Sequence, residues 1–323
     1  MRCDKLSVSR AGLFAEGKGC PLKYQLRYEE NIRFDDEANY LTLGKCVHYA
    51  LEEFMKPNSP HDDPKELFLQ EARRVGFLDQ ALIKEGKRII DVFLDDLRKT
   101  GMPNVLETEM EFDFYTDLGV PVYGFIDRID LVDPVSAKIT DYKTGNYIPT
   151  QEEAEAGLQL PVYHIAVKHK YPFIENVELC YHYLRTNTKL TFKIDEDRVQ
   201  DTLDYLHHIY MMILEHPGNA KGVVSMYCSW CEYSKMCPEF QEVITGHYSM
   251  FSDMDKNNIQ AVVNEYESLD AKSRILAKRV DLLKGIIKEH SRREDNRLVL
   301  PDGRSLTVSS GRIAIKEPQK PSR

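Results

Sequence analysis

Two short segments carry the residues best suited to chemistry: Gly124-Phe125-Ile126-Asp127 and Asp141-Tyr142-Lys143. Side chains two apart on a strand point to one face, so Asp141 and Lys143 are expected to be neighbours. Asp127 lies across a predicted hairpin and can join them. Two carboxylates and a backbone carbonyl make a hard oxygen site for Mg²⁺ or Mn²⁺. An adjacent ammonium can orient an attacking water and stabilise the charge that builds on phosphorus. Metal-assisted phosphodiester hydrolysis needs this combination. Taken alone, Asp-x-Lys far more often describes a surface ion pair on two antiparallel strands. Asp130 is three residues from Asp127 and is expected to face the other way, as a structural acid paired with Arg128 or another base.

Two further pieces flank that pair. Gly44-Lys45-Cys46-Val47-His48 sets an imidazole on a helix, one turn after a glycine that permits close approach. Gln159-Leu160-Pro161-Val162-Tyr163 sets an amide and a phenol one turn apart on one helix face. A single histidine is more often structural, and a Gln/Tyr pair is usually a polar stripe. The ordered set G-x-x-x-H, G-x-x-D, D-x-K and Q-x-x-x-Y resembles the PD-(D/E)XK nucleases of the RecB and AddB type, a group that includes the RecB-like nucleases of CRISPR adaptation. The resemblance covers roughly residues 1 to 245. It implies a restriction-endonuclease-like α/β fold, with a central mixed β-sheet flanked by helices. It also implies that His48, Asp127 and Asp141 bind metal with help from the Tyr142 carbonyl, and that Lys143 is the catalytic lysine. Gln159 and Tyr163 would position the substrate strand or the lysine. Glu109 or Glu111, on the preceding strand, is a candidate further carboxylate.

Seven cysteines are present, and the odd count without an export signal argues against a disulfide framework. Cys228, Cys231 and Cys237-Pro238 supply three thiolates within ten residues, and Cys20-Pro21 is the natural fourth. Four thiolates suit Zn²⁺ or an iron–sulfur cluster, and spacing alone does not choose. A zinc ribbon would use two CxxC pairs, of which one is present. Three local ligands and one distant one resemble the [4Fe–4S] staple of AddB and of some CRISPR adaptation nucleases. That resemblance implies a cluster tying the N-terminal helix to the segment after the sheet, shielded by Trp230 and Tyr233. Cys3, Cys46 and Cys180 read as core or incidental cysteines.

The elements that must position these groups follow from periodicity. Leu43 to Phe54 and Glu66 to Thr100 have helical apolar spacing. Met110, Phe112 and Phe114 alternate with Glu111 and Asp113, as in a strand. Val122 to Val132 and Ala137 to Lys143 are predicted as a hairpin turning at Asp133-Pro134. Glu152 to Lys168 is expected to be helical, with Pro161 early in the helix or kinking it. Val177 to Leu184 and Lys189 to Ile194 are a further strand pair, and Asp195 caps a helix ending near Pro217. Beyond Thr245 a narrow seam of Ile259, Val262, Tyr266, Leu269, Leu276, Val280, Leu283 and Ile287 predicts one long helix from Ser252 to Arg293. A hairpin from Leu298 to Val308 and a loose basic tail over the last twelve residues complete the chain. The expected organisation is a nuclease core over 1–245 and an accessory segment over 246–323.

Composition bounds the function. The 323 residues are 42% hydrophobic and 29% charged, with no apolar run long enough to span a membrane and no secretory leader, so a cytosolic enzyme is expected. A net charge of −9 argues against coating nucleic acid through bulk positive charge. Locally, Asp270 to Arg297 carries nine Lys/Arg against five Asp/Glu, which suits either a solvated helix face or contact with phosphates. The leading expectation is an Mg²⁺- or Mn²⁺-dependent DNA exonuclease acting on single strands or frayed ends. The alternatives are a non-catalytic DNA-binding or assembly subunit, and a nuclease that works only inside a complex. Self-association or a partner protein is expected at the C-terminal helix. With no P-loop in the sequence, any helicase motor would be another chain.

Overall fold

Apolar and acidic residues alternate through the first strand, and the computed structural model extends it to β1, Val105–Tyr115. The structure describes residues 5–14, 19–34, 39–77, 79–215, 218–225, 228, 231–245, 263, 283–292, 297–300, 304–309 and 312–316. After β1 come β2 (Pro121–Asp133), β3 (Ser136–Lys143), β4 (Asn176–Tyr183) and β5 (Thr188–Phe192). These form one sheet in the order β1-β2-β3-β4-β5. Neighbours are antiparallel except β3 and β4, which run parallel. A parallel pair needs a long crossover. Here α6 (Gln151–Glu155) and α7 (Gln159–Lys170) supply it, with Pro161 in the first turn of α7, where a missing N–H costs nothing.

Helices cover both faces, the mixed-sheet architecture expected for this class. On one face α3 (Asn39–Met55), α4 (Pro64–Arg74) and α5 (Gln80–Thr100) share an apolar cluster with Tyr142 and Leu184. On the other, α1 (Val8–Ala11), α7 and α8 (Glu196–Glu215) pack on inward residues of β1 to β4. Asp195 accepts from Arg198 N–H at 2.9 Å at the start of α8, the expected cap.

The sheet is forked. β2 and β3 pair only from Asp133↔Ser136 to Arg128↔Thr140. Beyond that point β3 keeps to β4 as far as Lys143↔Tyr183. β2 departs, and at Pro121–Tyr123 its free edge is met by Leu6, which donates to Pro121 O and accepts from Tyr123 N–H. The gap between the two strands is reachable from both helical layers.

Residues Met1–Gln241 and Glu242–Arg323 form two separate units. The first also holds α2 (Pro21–Tyr24), which runs into a π-helical turn at Gln25–Glu29, and the second unit's boundary falls within α9 (Pro238–Thr245). The second unit contains a three-stranded antiparallel sheet of β6 (Arg297–Val299), β7 (Ser305–Ser309) and β8 (Arg312–Lys316). The predicted hairpin is present, with Leu298 opposite Leu306. The loose tail expected from residue 312 is corrected: Arg312 to Lys316 pairs with β7, and Ile313 and Ile315 alternate with polar or small neighbours as a strand requires. Residues 283–292 are helical. Most of the long helix predicted from Ser252 to Arg293, including Ile259, Val262, Leu276 and Val280, lies outside the described residues. None of the described helices is long and apolar enough to cross a membrane.

Candidate active site

Asp127 stands where β2 leaves β3. Its Oδ2 accepts the Tyr142 backbone N–H at 2.6 Å, and its Oδ1 lies 3.5 Å from His48 Nδ1. The imidazole reaches it because α3 passes close to the end of β3. A Cβ on Gly44, one turn before His48, would sit 2.9 Å from Thr144 Oγ1. The third participant is Glu109. Thr108 pairs with Arg128 and Met110 with Ile126, so Glu109 falls opposite Asp127, yet it drops out of the ladder with φ at +46°. A left-handed conformation costs a non-glycine residue about 1 to 2 kcal/mol. Such strain gathers where a backbone must aim a functional side chain. His48, Glu109 and Asp127 can each present one ligand atom with all three within 4.8 Å of one another. Of the two glutamates considered from the sequence, Glu109 joins the site and Glu111 is exposed on β1.

The second half of the site comes from β3 and α7. Lys143 Nζ lies 2.7 Å from Asp141 Oδ2, an ion pair whose angle leaves that buried oxygen without a directed hydrogen bond. Lys143 also donates to Gln159 Oε1 at 2.8 Å, and Gln159 Nε2 donates to the Tyr163 hydroxyl at 2.8 Å. The ammonium sits 5.3 Å from the centre of the Tyr181 ring. The amide and phenol one turn apart on α7 therefore form a short relay that fixes the lysine. Tyr142, between Asp141 and Lys143, turns its ring to the opposite helical layer, where its hydroxyl accepts from Arg128 at 2.7 Å. Arg128 pairs with Asp130 at 3.0 Å, so Asp130 is a buried structural acid, as its spacing implied.

Crowded carboxylates perturb one another. Burial, with Asp127 and Glu52 nearby, pushes Glu109 up to about 7. Burial also pushes Asp141 up to about 6, with Lys143 opposing and Asp127 adding to the rise. Burial would raise Asp127 too, but the His48 imidazole, the Tyr142 N–H and Lys143 hold it below the usual carboxylate range. His48 is held above its ordinary value: burial works against the charge, and Asp127, Asp141 and Glu109 outweigh it. Acids whose charge is opposed by burial and then by neighbouring carboxylates mark a site suited to more positive charge than the protein itself supplies.

The donor set fits a hard divalent cation: one imidazole nitrogen, two converging carboxylates and the neighbouring buried Asp141 oxygen. Asp141 is adjacent to the His48–Glu109–Asp127 trio rather than part of it. A cleft of about 900 Å³ opens onto this point, lined among others by Arg27, Lys45, His48, Glu52, Glu109 and Arg185. Glu52 was not singled out from the sequence, although its position four residues after His48 puts both on one helix face.

Cys20, Cys228, Cys231 and Cys237 line one small apolar pocket with Leu26, Tyr233 and Phe240. No three of these sulfurs lie within 4.8 Å of one another. Backbone N–H groups of Ser225 and Phe240 point at Cys228 and Cys237 at 3.2 and 3.4 Å. Tyr233 is buried beside them and its hydroxyl donates to Ile32 O at 2.9 Å. Trp230 and Cys3 lie outside the described residues. Cys46 and Cys180 are buried in the core, where burial raises both thiols, Cys46 to about 11.

No curated protein matches the sequence. Among solved structures, a protein of Eubacterium rectale carrying a provisional exonuclease name is 14% identical, with 72% of this chain and 88% of that one covered and a TM-score of 0.49. A second, SSO0001, is 19% identical, covering 68% of this chain and 94% of that one at a TM-score of 0.32. The model of the PD-(D/E)XK nuclease superfamily matches residues 5–238, a span that runs from the strand-edge residue Leu6 through the acidic fork to the last of the clustered cysteines. With that match over most of its length, this chain belongs to the PD-(D/E)XK nuclease superfamily.

Proposed function

We propose that this nuclease is an Mg²⁺- or Mn²⁺-dependent deoxyribonuclease of the RecB and AddB type, trimming single-stranded or frayed DNA ends by a two-metal mechanism. Such end processing serves repair and recombination. The observation that carries the reading is the meeting, in one strand fork, of a carboxylate–imidazole trio and a lysine held by an acid and an amide. When bound, the divalent cations polarise the scissile phosphate and supply hydroxide near neutral pH. His48, Glu109, Asp127 and Asp141 would hold them, with the Tyr142 carbonyl as a further oxygen. The Lys143 ammonium orients the attacking water and meets the charge developing on the phosphate oxygens. Gln159 keeps that ammonium pointed into the fork, and Tyr163 fixes the orientation of the Gln159 amide.

We further propose a [4Fe–4S] staple at the pocket that Cys20, Cys228, Cys231 and Cys237 line together, on the pattern of three local thiolates and one distant one. We further assign 1–245 as the catalytic core and 246–323 as an accessory segment for self-association or a partner protein.

The decisive assay supplies Mg²⁺ or Mn²⁺ and compares end-labelled linear single strands with circular ones. Linear strands are expected to shorten while circles persist, and Lys143→Ala is expected to lower the rate at least a hundredfold. Equal attack on circles would replace the exonuclease assignment with an endonuclease. Wild-type rates in Lys143→Ala would remove the active-site assignment.

A further inference from the structure

On the free edge of β2, before Asp127, the fork widens into a second cleft of about 310 Å³. Its lining includes Tyr28, Phe112, Tyr123, Phe125, Gln159 and Tyr163. Gln159 and Tyr163 are the relay that holds Lys143, so this cleft adjoins the lysine side of the active site. Phe125 is 47% exposed, and no other aromatic ring packs on it or on Tyr123 among the described residues. Around the same cleft the protein gathers cations. The Arg10 guanidinium lies 4.6 Å from the centre of the Tyr28 ring and 5.9 Å from that of Tyr123. Arg27 and Arg33 lie 5.8 and 5.6 Å from the centre of the Tyr28 ring. Three arginines are thus grouped around one tyrosine, Arg27 among them also pairing with Glu232 at 3.0 Å.

Aromatic faces beside arginines are what an unpaired nucleotide needs. Its base offers a π-face to the rings, and its phosphates meet the guanidinium groups. A base within a duplex has both faces covered by its stacked neighbours and cannot use such rings. Resting on the nuclease reading above, we propose that Tyr123 and Phe125 in this cleft form a stacking subsite for an unpaired nucleotide of the substrate strand, adjacent to the scissile phosphate, with the arginines around Tyr28 facing its backbone. Its consequence is selectivity: the site favours single strands through their bases as well as their backbone.

The test is binding, with cleavage disabled. In full-length Lys143→Ala without divalent metal, fluorescence anisotropy compares a labelled oligothymidylate, an abasic strand of equal length and a blunt duplex. The oligothymidylate is expected to bind most tightly. Adding Phe125→Ala and Tyr123→Ala is expected to weaken its binding roughly tenfold, the scale of one lost base stack, and to leave abasic binding unchanged. Phe125→Trp is expected to retain it. Phe125→Ala alone, at an exposed side chain, serves if the double variant melts early. Unchanged oligothymidylate binding in these variants, or an equal loss for the abasic strand, overturns the proposal. Quenching of 2-aminopurine placed near the strand end gives an independent readout, expected in the parent and absent in Phe125→Ala. These results do not depend on turnover, so failure of the nuclease reading appears separately, as undiminished cleavage by Lys143→Ala.

Discussion

Glu109 and Asp141 hold their protons to about 7 and about 6, well above ordinary carboxyl values, because burial and Asp127 oppose their charge. A carboxyl whose pKa is higher in the fold than in the unfolded chain binds protons preferentially when folded. Its favourable contribution is present at low pH and is lost as pH rises through the folded value. His48, also held above its ordinary value, acts with the same sign. The metal-free protein is therefore expected to lose stability from the ordinary carboxylate range up to about pH 7. A divalent cation replaces the protons and needs the ligands deprotonated. The rise in melting temperature on adding Mg²⁺ or Mn²⁺ is thus expected to be larger at about pH 8 than at about pH 5. Glu109→Gln is expected to flatten that difference. A cation effect that is equal at both pH values would show that these three residues do not form the metal site.

At the scale of elements, the site depends on a strand that misbehaves. β1 shifts register between Val105 and Glu107, and it leaves the ladder again at Glu109, whose left-handed backbone lifts it out opposite Asp127. Glycine adopts that conformation without the steric cost. Glu109→Gly is expected to stabilise the metal-free protein by about 1 kcal/mol while weakening metal binding and cleavage. Thermal melting and metal titration on one preparation read both effects, and a loss of both together would mean that the bulge itself needs the glutamate. This strain also marks the limit of legibility in the sequence. Asp141 and Lys143 were legible as neighbours because their contact follows from the two-residue period of a strand. The Gln159–Tyr163 bond follows in the same way from the helical turn. Glu109 and Glu111 stand two apart in an alternating strand, and periodicity gives them the same face. Only a backbone irregularity separates them, and no residue in the segment signals one. The fork was hidden for a similar reason: the hairpin turn at Asp133-Pro134 announces where β2 and β3 join, while nothing local announces where they part. The strand at Arg312–Lys316 was obscured by the basic residues around Ile313 and Ile315, which gave the segment the composition of a tail.

Across the whole molecule, the cysteine pocket joins distant parts of the catalytic unit. Cys20 begins α2, whereas Cys237 immediately precedes α9, and the entire forked sheet lies between them in sequence. Protein contacts alone already connect these ends, since Arg27 pairs with Glu232 at 3.0 Å and Tyr233 bonds to Ile32 O. Lys23 also pairs with Glu232 at 3.6 Å and Ala220 N–H donates to Gln25 at 2.7 Å, and such partly exposed contacts are worth about 1 kcal/mol apiece at most. The apolar contacts of Leu22, Leu26 and Tyr233 form a cluster of their own, separate from both layers of the sheet. A ligand shared by four thiolates would close a loop of most of the catalytic unit, and binding free energy of that kind is folding free energy. The position of the Cys20 helix matters for the site as well, because the π-helical turn that follows it carries Arg27 to the large cleft and Tyr28 to the small one. Protein purified without oxygen is expected to be brown and to contain iron and sulfide. Cys20→Ala is expected to lose the colour, to melt at a clearly lower temperature, and to bind single strands more weakly, since both clefts lose an anchored wall. Cys46→Ala, in the core away from the pocket, controls for the loss of a thiol as such: it is expected to keep the colour even where it lowers the melting temperature. A colourless wild-type protein with stoichiometric zinc would overturn the iron–sulfur assignment while leaving the staple in place. A Cys20→Ala protein as stable as wild type, binding strands equally well, would dispose of the staple itself.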